Sequence, residues 1–156
     1  MYHYPSIEIL GVNVIKNPLK LKEMFYFQIL FELREILSEN LDVRFVYVQS
    51  PTTKDDDDEL DVYAIPANRI GKFKVNFLVA SPTFYLESLI DVFGITLLLI
   101  QFTYLTREFM RIGYYVNNEI CGPVERDSKS NLFLKINYIE RNILKDQPRI
   151  TKFSIF

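Results

Sequence analysis

The chain has 156 residues, 49% of them hydrophobic, but only one histidine (His3), one cysteine (Cys121) and five glycines. That length predicts one domain with a buried core, and the counts exclude an internal disulfide, a thiolate zinc site and a Ser/His/Asp triad. Residues 1–106 contain nine Lys and Arg and fourteen Asp and Glu, whereas residues 107–156 contain nine Lys and Arg and six Asp and Glu. This distribution of charge is unlike a strongly basic DNA-binding surface. We therefore expect no cofactor, no metal, no catalytic residue and no direct nucleic-acid partner.

Two segments bear on secretion and membranes. The N-terminus, MYHYPSIEIL, has no basic stretch followed by an apolar run and a cleavage site, so no signal peptide is predicted. The longest apolar stretch, 92–105, contains Thr96, Gln101 and Thr103 and is shorter than the roughly 20 residues of a spanning helix. We expect an intracellular chain without a membrane partner, folded as a single domain over residues 1–156.

Alternating apolar and polar residues predict an all-β fold. Phe73, Val75 and Phe77, for example, alternate with Lys72 and Lys74, as in a half-buried strand. In chain order the predicted strands are 7–15, 25–33, 43–48, 60–65, 72–79, 95–104, 109–116 and 150–155. Turn dipeptides such as Asn-Pro, Ser-Pro and Gly-Pro separate several of them. Many short strands at regular spacing favour an antiparallel sandwich.

Helical signals are few. Residues 32–41 and 85–93 could each hold a turn of helix, but neither shows the sustained 3.6-residue period of a longer one. Both are therefore predicted to be short helical linkers. Residues 129–142 stay open between strand and helix, because alternation at Leu132, Leu134 and Ile136 is broken by Ile139 and Ile143.

The predicted strand 95–104 is apolar on both faces. One face carries Ile95, Leu97 and Leu99, and the other carries Leu98 and Ile100. A sandwich strand normally has one wet face. Either another part of the chain covers this strand, or it presents an apolar patch to a partner.

The acidic run 55–59 is the most charged segment. It lacks the spaced ligands, the glycine and the final glutamate of an EF-hand loop, so we expect no metal there. A solvated loop and a docking site for a basic partner both remain open. Cys121 has no histidine partner and is expected to be a passive residue.

Two strings carry a resemblance to a known family. FMRIGYYVNNE at 109–119 and RNILKDQPRITKF at 141–153 closely resemble segments of the anti-silencing-function family of histone H3/H4 chaperones. Weaker similarities lie along the whole chain, among them LSENL at 37–41 and Gly94-Ile95-Thr96. The resemblance implies an immunoglobulin-like sandwich in the nucleus. It also implies binding of one H3/H4 heterodimer, over the H3 surface that would otherwise form the tetramer, during nucleosome assembly and disassembly.

The resemblance also implies three contact regions. The groove for histone H3 would comprise Val48, Asp57, Asp91, Ile95, Leu97, Leu99, Arg111, Tyr114 and Tyr115. The open sheet edge that pairs with the C-terminal tail of histone H4 would comprise Leu144, Arg149, Ile150 and Thr151. A surface for peptides of chromatin-assembly factors would comprise Glu39, Asn40 and Asp61, where Asn40 replaces one of two acidic residues usual in the family.

The residues leave two rival functions. One is an immunoglobulin-like adaptor that binds peptide motifs without binding histones. The other is a carboxylate enzyme, which nothing in the sequence supports. On the chaperone interpretation we expect no catalysis and a monomer when the protein is free of partners.

Overall fold

The computed structural model of the chain describes residues 7–48, 57–82, 94–120 and 138–153. These residues form ten strands in two antiparallel sheets, which confirms the predicted all-β sandwich. The strands are β1 (Ile7–Val14), β2 (Leu19–Lys20), β3 (Phe25–Leu33), β4 (Leu41–Val48), β5 (Asp57–Ile65), β6 (Gly71–Val79), β7 (Gly94–Tyr104), β8 (Arg107–Ile120), β9 (Ile139–Ile143) and β10 (Arg149–Lys152).

The smaller sheet has the order β1-β3-β6, and the larger sheet has seven strands. In the larger sheet the order is β2-β9-β8-β7-β4-β5, and β10 pairs with β8 as well. Both β9 and β10 pair with β8, over residues 116–120 and 110–113 respectively. Because β7 occupies the other edge of β8, β9 and β10 must lie end to end along one edge.

Aromatic residues from the two sheets fill the core. Alternate residues of β3 are buried, as its sequence pattern predicts, and Phe27 stacks on Phe45 of β4 with ring centroids 5.7 Å apart. Each fully buried phenylalanine stabilises the fold by about 1.5–3 kcal/mol relative to exposure. The inner face of the seven-stranded sheet packs against the smaller sheet in this core. Its outer face does not take part in that packing.

A buried polar cluster joins the three strands β4, β7 and β8. The hydroxyls of Tyr47 and Thr96 lie 2.7 Å apart, and Asn118 Nδ2 donates to the Tyr47 hydroxyl over 3.1 Å. Buried polar groups are costly unless they are hydrogen-bonded, so this cluster favours one relative position of the three strands.

Arg141 is fully buried between the sheets. Its guanidinium carbon lies 4.3 Å from the centroid of the Phe25 ring, and Nη2 donates to the carbonyl of Leu21. Burial lowers the pKa of Arg141 below its ordinary value, because the charged form is desolvated. The contact connects β9 with the turn that follows β2.

Two details differ from the sequence prediction. The helical linker at 32–41 is wrong: β3 runs to Leu33 and β4 begins at Leu41. The intervening loop is fixed by a hydrogen bond from the Leu37 amide to the Ala67 carbonyl over 2.9 Å and by ion pairs of Arg34 with Glu8 and Glu32. The second predicted linker, 85–93, lies outside the described residues. In the ambiguous segment 129–142, the part from Ile139 onward is strand β9, which ends at Ile143.

Candidate functional site

The outer face of the seven-stranded sheet carries a cluster of apolar side chains across its three central strands. Cross-strand pairing places Val48 beside Leu97 and Leu97 beside Tyr115, and in the next row it places Val46 beside Leu99. We call this cluster the apolar patch; its members are Val46, Val48, Ile95, Leu97, Leu99 and Tyr115.

Exposure decides between the two interpretations of the strand that is apolar on both faces. On its inner face Leu98 and Ile100 are fully buried, whereas on its outer face Ile95 is 54% exposed. Leu97 and Leu99 are half-buried, and Tyr115 on the neighbouring strand is 42% exposed. The outer face therefore presents apolar surface to solvent, as expected of a docking site.

Gly113 forms the floor of the apolar patch, a feature that the sequence did not reveal. A Cβ atom at this position would lie 3.4 Å from Leu99 Cδ2, 3.6 Å from Leu97 Cδ1 and 3.8 Å from the Arg149 carbonyl oxygen. The missing side chain thus leaves a depression between β7 and β10. Glycine is used in strands where another backbone or a ligand approaches closely.

Two ion pairs lie on the same outer face. Arg111 contacts both carboxylate oxygens of Glu108, with Nε at 2.7 Å and Nη2 at 2.9 Å. Arg44 contacts Glu59 at a single nitrogen, over 3.2 Å. Arg111 pairs across the sheet with Gln101 of β7 and Thr151 of β10, which places it between these two strands, one row beyond Leu99 of the apolar patch.

Tyr114 does not lie in the predicted H3 groove, so the prediction for this residue is wrong. Its side chain is 2% exposed on the inner face, where its ring stacks on Phe27 with centroids 6.4 Å apart. Burial raises the pKa of the Tyr114 phenol to about 12. Adjacent strand residues point to opposite faces, so Tyr115 alone faces outward. Val48 does lie in the patch, although only 7% of it is exposed.

Strand β10 offers an unpaired edge within the described part of the chain. The Phe153 amide donates to the Phe109 carbonyl of β8 over 3.0 Å. Backbone groups alternate between the two edges of a strand. Arg149 and Thr151 therefore direct their backbone groups to β8, whereas Ile150 directs its own to the open edge. Leu144, the fourth predicted residue of this region, donates its amide to the Tyr115 carbonyl over 2.9 Å.

A groove of about 720 Å³ runs beside β10, between β1 of the smaller sheet and β8 of the larger one. Ile9, Met110, Ile112 and Ile150 give it an apolar lining, and Lys145 is among its basic residues. A strand added to β10 would have this groove next to it for the side chains that point toward the core.

The third predicted region is not one compact site. Glu39 and Asn40 are exposed just before β4, but Asp61 pairs with Phe45, four residues along that strand. At about 3.3 Å per residue, the stretch of β4 from Leu41 to Phe45 alone spans about 13 Å, and Glu39 and Asn40 lie before it. The Asp61 carboxylate also accepts a hydrogen bond from the Ala80 amide over 2.7 Å. Asp61 therefore ties β5 to the end of β6.

Several other predicted residues belong to parts of the chain next to the described strands or outside the described ranges. Asp91 and Cys121 lie outside the described residues, as do Asp55 and Asp56 of the acidic run. The backbone of Asp57 pairs with Val48, beside the apolar patch. Among the described residues, no three His, Cys, Asp or Glu residues come close enough to hold a metal ion. The same residues contain no helix with the length and hydropathy that a membrane span requires.

Comparison with known proteins adds an independent line of evidence. The chain is 34% identical over 149 residues to "Histone chaperone ASF1" of Debaryomyces hansenii, an alignment that covers 96% of this chain and 56% of the relative. The protein of the same name from Saccharomyces cerevisiae is 34% identical over 149 residues, covering 96% and 53%. "Histone chaperone cia1" of Schizosaccharomyces pombe is 36% identical over 154 residues, covering 96% and 59%.

The chain thus spans somewhat more than half the length of these curated relatives. The family model described as "ASF1 like histone chaperone" matches residues 4–156, almost the whole chain. On this match the protein is a member of the ASF1 like histone chaperone family.

Proposed function

We propose that the protein is a histone chaperone that binds one H3/H4 heterodimer and acts in the nucleus in nucleosome assembly and disassembly. The observation that carries this proposal is the apolar patch on the outer face of β4, β7 and β8. Family membership supports the same function and implies a binding role rather than a catalytic one. We further propose that residues 1–156 form a single domain that is monomeric when free of histones.

The patch has the properties of a binding surface for the apolar side of an amphipathic helix. Its apolar residues lie on three strands that are each paired on both edges, so little backbone ordering is needed when a partner binds. The Arg111–Glu108 and Arg44–Glu59 pairs supply charges beside it. The acidic run 55–59 adds negative charge, which favours encounter with a basic partner.

The direct test replaces Leu97 by arginine. A charge at the centre of a desolvated contact typically costs about 2 kcal/mol or more, which is about thirtyfold in affinity. We expect Leu97→Arg to lower H3/H4 affinity at least that much, with the melting temperature unchanged because Leu97 faces outward. The matched control is Leu78→Arg, since Leu78 is 52% exposed on β6 of the other sheet. It should change neither property.

Two results would contradict the proposal. A folded Leu97→Arg variant with wild-type histone affinity would show that the patch is not the interface. Equal losses for Leu97→Arg and Leu78→Arg would show that the charge acts nonspecifically. A wild-type protein that binds chromatin-factor peptides but no H3/H4 would instead support the adaptor alternative.

We also propose that the C-terminal tail of H4 adds as a strand to β10. Support comes from the open edge of β10 and from the adjacent apolar groove, because strand addition takes affinity from backbone bonds and register from side-chain pockets. Ile150→Pro removes an outward amide, a place where edge strands tolerate proline. The substitution should weaken H3/H4 binding without unfolding the domain. Unchanged binding would place the H4 tail elsewhere.

A third proposal concerns peptides of chromatin-assembly factors. Glu39 and Asn40 are exposed before β4 and can meet a basic peptide, whereas the Asp61 carboxylate already accepts the Ala80 amide. We therefore propose Glu39 and Asn40 as the contact, and we propose that Asp61 has a structural role in β5 outside that contact.

A further inference from the structure

The Arg111–Glu108 pair on the outer face differs from an ordinary surface ion pair. We infer that Glu108 is a positioning residue that holds the Arg111 guanidinium in a fixed orientation for a carboxylate of the histone partner. This inference deepens the proposed function and rests on it.

The geometry of the pair depends on a bulge in β8. Met110 pairs with Phe102 and Glu108 pairs with Thr103, so Phe109 is an extra residue on the β8 side. Residues three apart in a regular strand point to opposite faces. The extra residue reverses this alternation and places Glu108 on the same face as Arg111. Bulges commonly redirect a side chain in this way.

The carboxylate then holds two nitrogens of one edge of the guanidinium. Nε lies 2.7 Å from Oε1 and Nη2 lies 2.9 Å from Oε2, a bidentate arrangement that fixes the plane of the group. Both side chains are partly shielded, with 37% of Arg111 and 23% of Glu108 exposed. Partial shielding strengthens the pair relative to a fully exposed one.

A second contact holds the same guanidinium. The Phe153 ring centroid lies 5.5 Å from Arg111 Cζ, within the range of a cation–π interaction. The Phe153 amide donates to the carbonyl of Phe109, which is the bulged residue. One irregularity in β8 thus places both Glu108 and Phe153 against Arg111.

A restrained arginine binds a partner differently from a free one. An unrestrained arginine loses rotamer freedom when it binds, and restraint in the free protein removes that cost. Loss of that restraint in Glu108→Gln should raise the dissociation rate of the complex. The substitution also removes one negative charge, and because long-range attraction acts on the association rate, the dissociation rate is the readout of the restraint.

The first experiment examines the free protein. The Arg111 Nε–H resonance of the folded wild type should be resolved and protected from solvent exchange, and Glu108→Gln should move it and speed its exchange. Glu59→Gln is the matched control, because Glu59 pairs with Arg44 on the same face through one 3.2 Å contact. It should leave the Arg111 signal unchanged. An Arg111 signal that is identical in Glu108→Gln refutes the restraint.

The second experiment measures H3/H4 binding kinetics in a double-mutant cycle with Glu108→Gln and Arg111→Ala. We expect Glu108→Gln to raise the dissociation rate about threefold to tenfold, the range that ordering one long side chain corresponds to. In the Arg111→Ala background it should have no further effect. Glu23→Gln, which breaks the Lys16–Glu23 ion pair at the turn before β3, should leave the dissociation rate unchanged.

The outcomes separate this inference from the proposed function. An effect of Glu108→Gln that persists in the Arg111→Ala background means that Glu108 contacts the histone directly, which overturns positioning. No effect of Glu108→Gln on dissociation overturns it as well. Failure of the wild-type protein to bind H3/H4 refutes the proposed function itself.

Discussion

Replacing Gly113 by alanine should raise the stability of the domain and lower its affinity for H3/H4. In Gly113→Ala the new methyl group would contact Leu99 at 3.4 Å and Leu97 at 3.6 Å, so it meets flexible side chains without a clash. Removal of a glycine from a strand without strain stabilises a fold by about 0.4–1 kcal/mol. For a domain of this size, that corresponds to a melting temperature about 1–4 °C higher.

The same methyl group would occupy the floor of the apolar patch. Overpacking a close-fitting contact by one or a few methyl groups costs about 1–3 kcal/mol, which is about fivefold to 150-fold in affinity. We therefore expect Gly113→Ala to melt higher and to bind H3/H4 more weakly. Gly113→Val should weaken binding further.

Thermal melting followed by circular dichroism and a titration of labelled H3/H4 measure the two effects on one preparation. A higher melting temperature with unchanged affinity would show that the partner does not reach the floor of the patch. A large loss of stability would show that the position has no room for a methyl group and would refute the geometric argument.

Three further predictions concern charge and ionisation. Replacing the four aspartates at 55–58 by asparagine should slow association with H3/H4 at low salt and have little effect at high salt, because long-range attraction is screened; an unchanged rate at low salt refutes it. Asn40→Asp should strengthen binding of basic assembly-factor peptides without altering histone affinity, and a peptide titration without gain counts against that surface. Burial raises the pKa of Tyr114 from 10.0 to about 12, so its contribution to stability is present below pH 10 and is lost between pH 10 and 12. Chemical denaturation should show that the free energy of unfolding of wild type falls relative to that of Tyr114→Phe over this pH range. Buried Arg141 contributes with the opposite sign, but it is present in both proteins and cancels in the comparison. Parallel pH profiles of the two proteins would contradict the burial of the phenol.

Much of the fold was predictable because burial of one sheet face imposes a period of two. The alternation of Phe25 through Leu33 indicated β3 correctly, and the double apolar pattern of β7 indicated the apolar patch. Strand β2 was not predictable, because Leu19 and Lys20 are strand only through pairing with Arg141 and Glu140, far along the chain. No local pattern encodes such a contact.

The apolar patch was predictable in outline from the two apolar faces of β7, and the residues that the structure places elsewhere have local explanations. The resemblance assigned both Tyr114 and Tyr115 to the groove, although Tyr114 shares its parity with buried Ile112 and Val116. That parity could have assigned it to the core. The Glu108–Arg111 contact was not predictable from spacing, because residues three apart in a regular strand point to opposite faces. The one sign of the bulge in the sequence is that Phe109 and Met110 are adjacent and both apolar. The depression at Gly113 depends on neighbours from two other strands.

The most direct test of the central claim is the mass of the complex formed with histones. Sedimentation of H3/H4 tetramers titrated with the wild-type protein should show the tetramer replaced by one species that contains one chaperone, one H3 and one H4. Leu97→Arg should leave the tetramer in place. Tetramers that persist beside excess wild-type protein, or that bind it without dissociating, would contradict the claim that this protein covers the H3 surface used in tetramer formation.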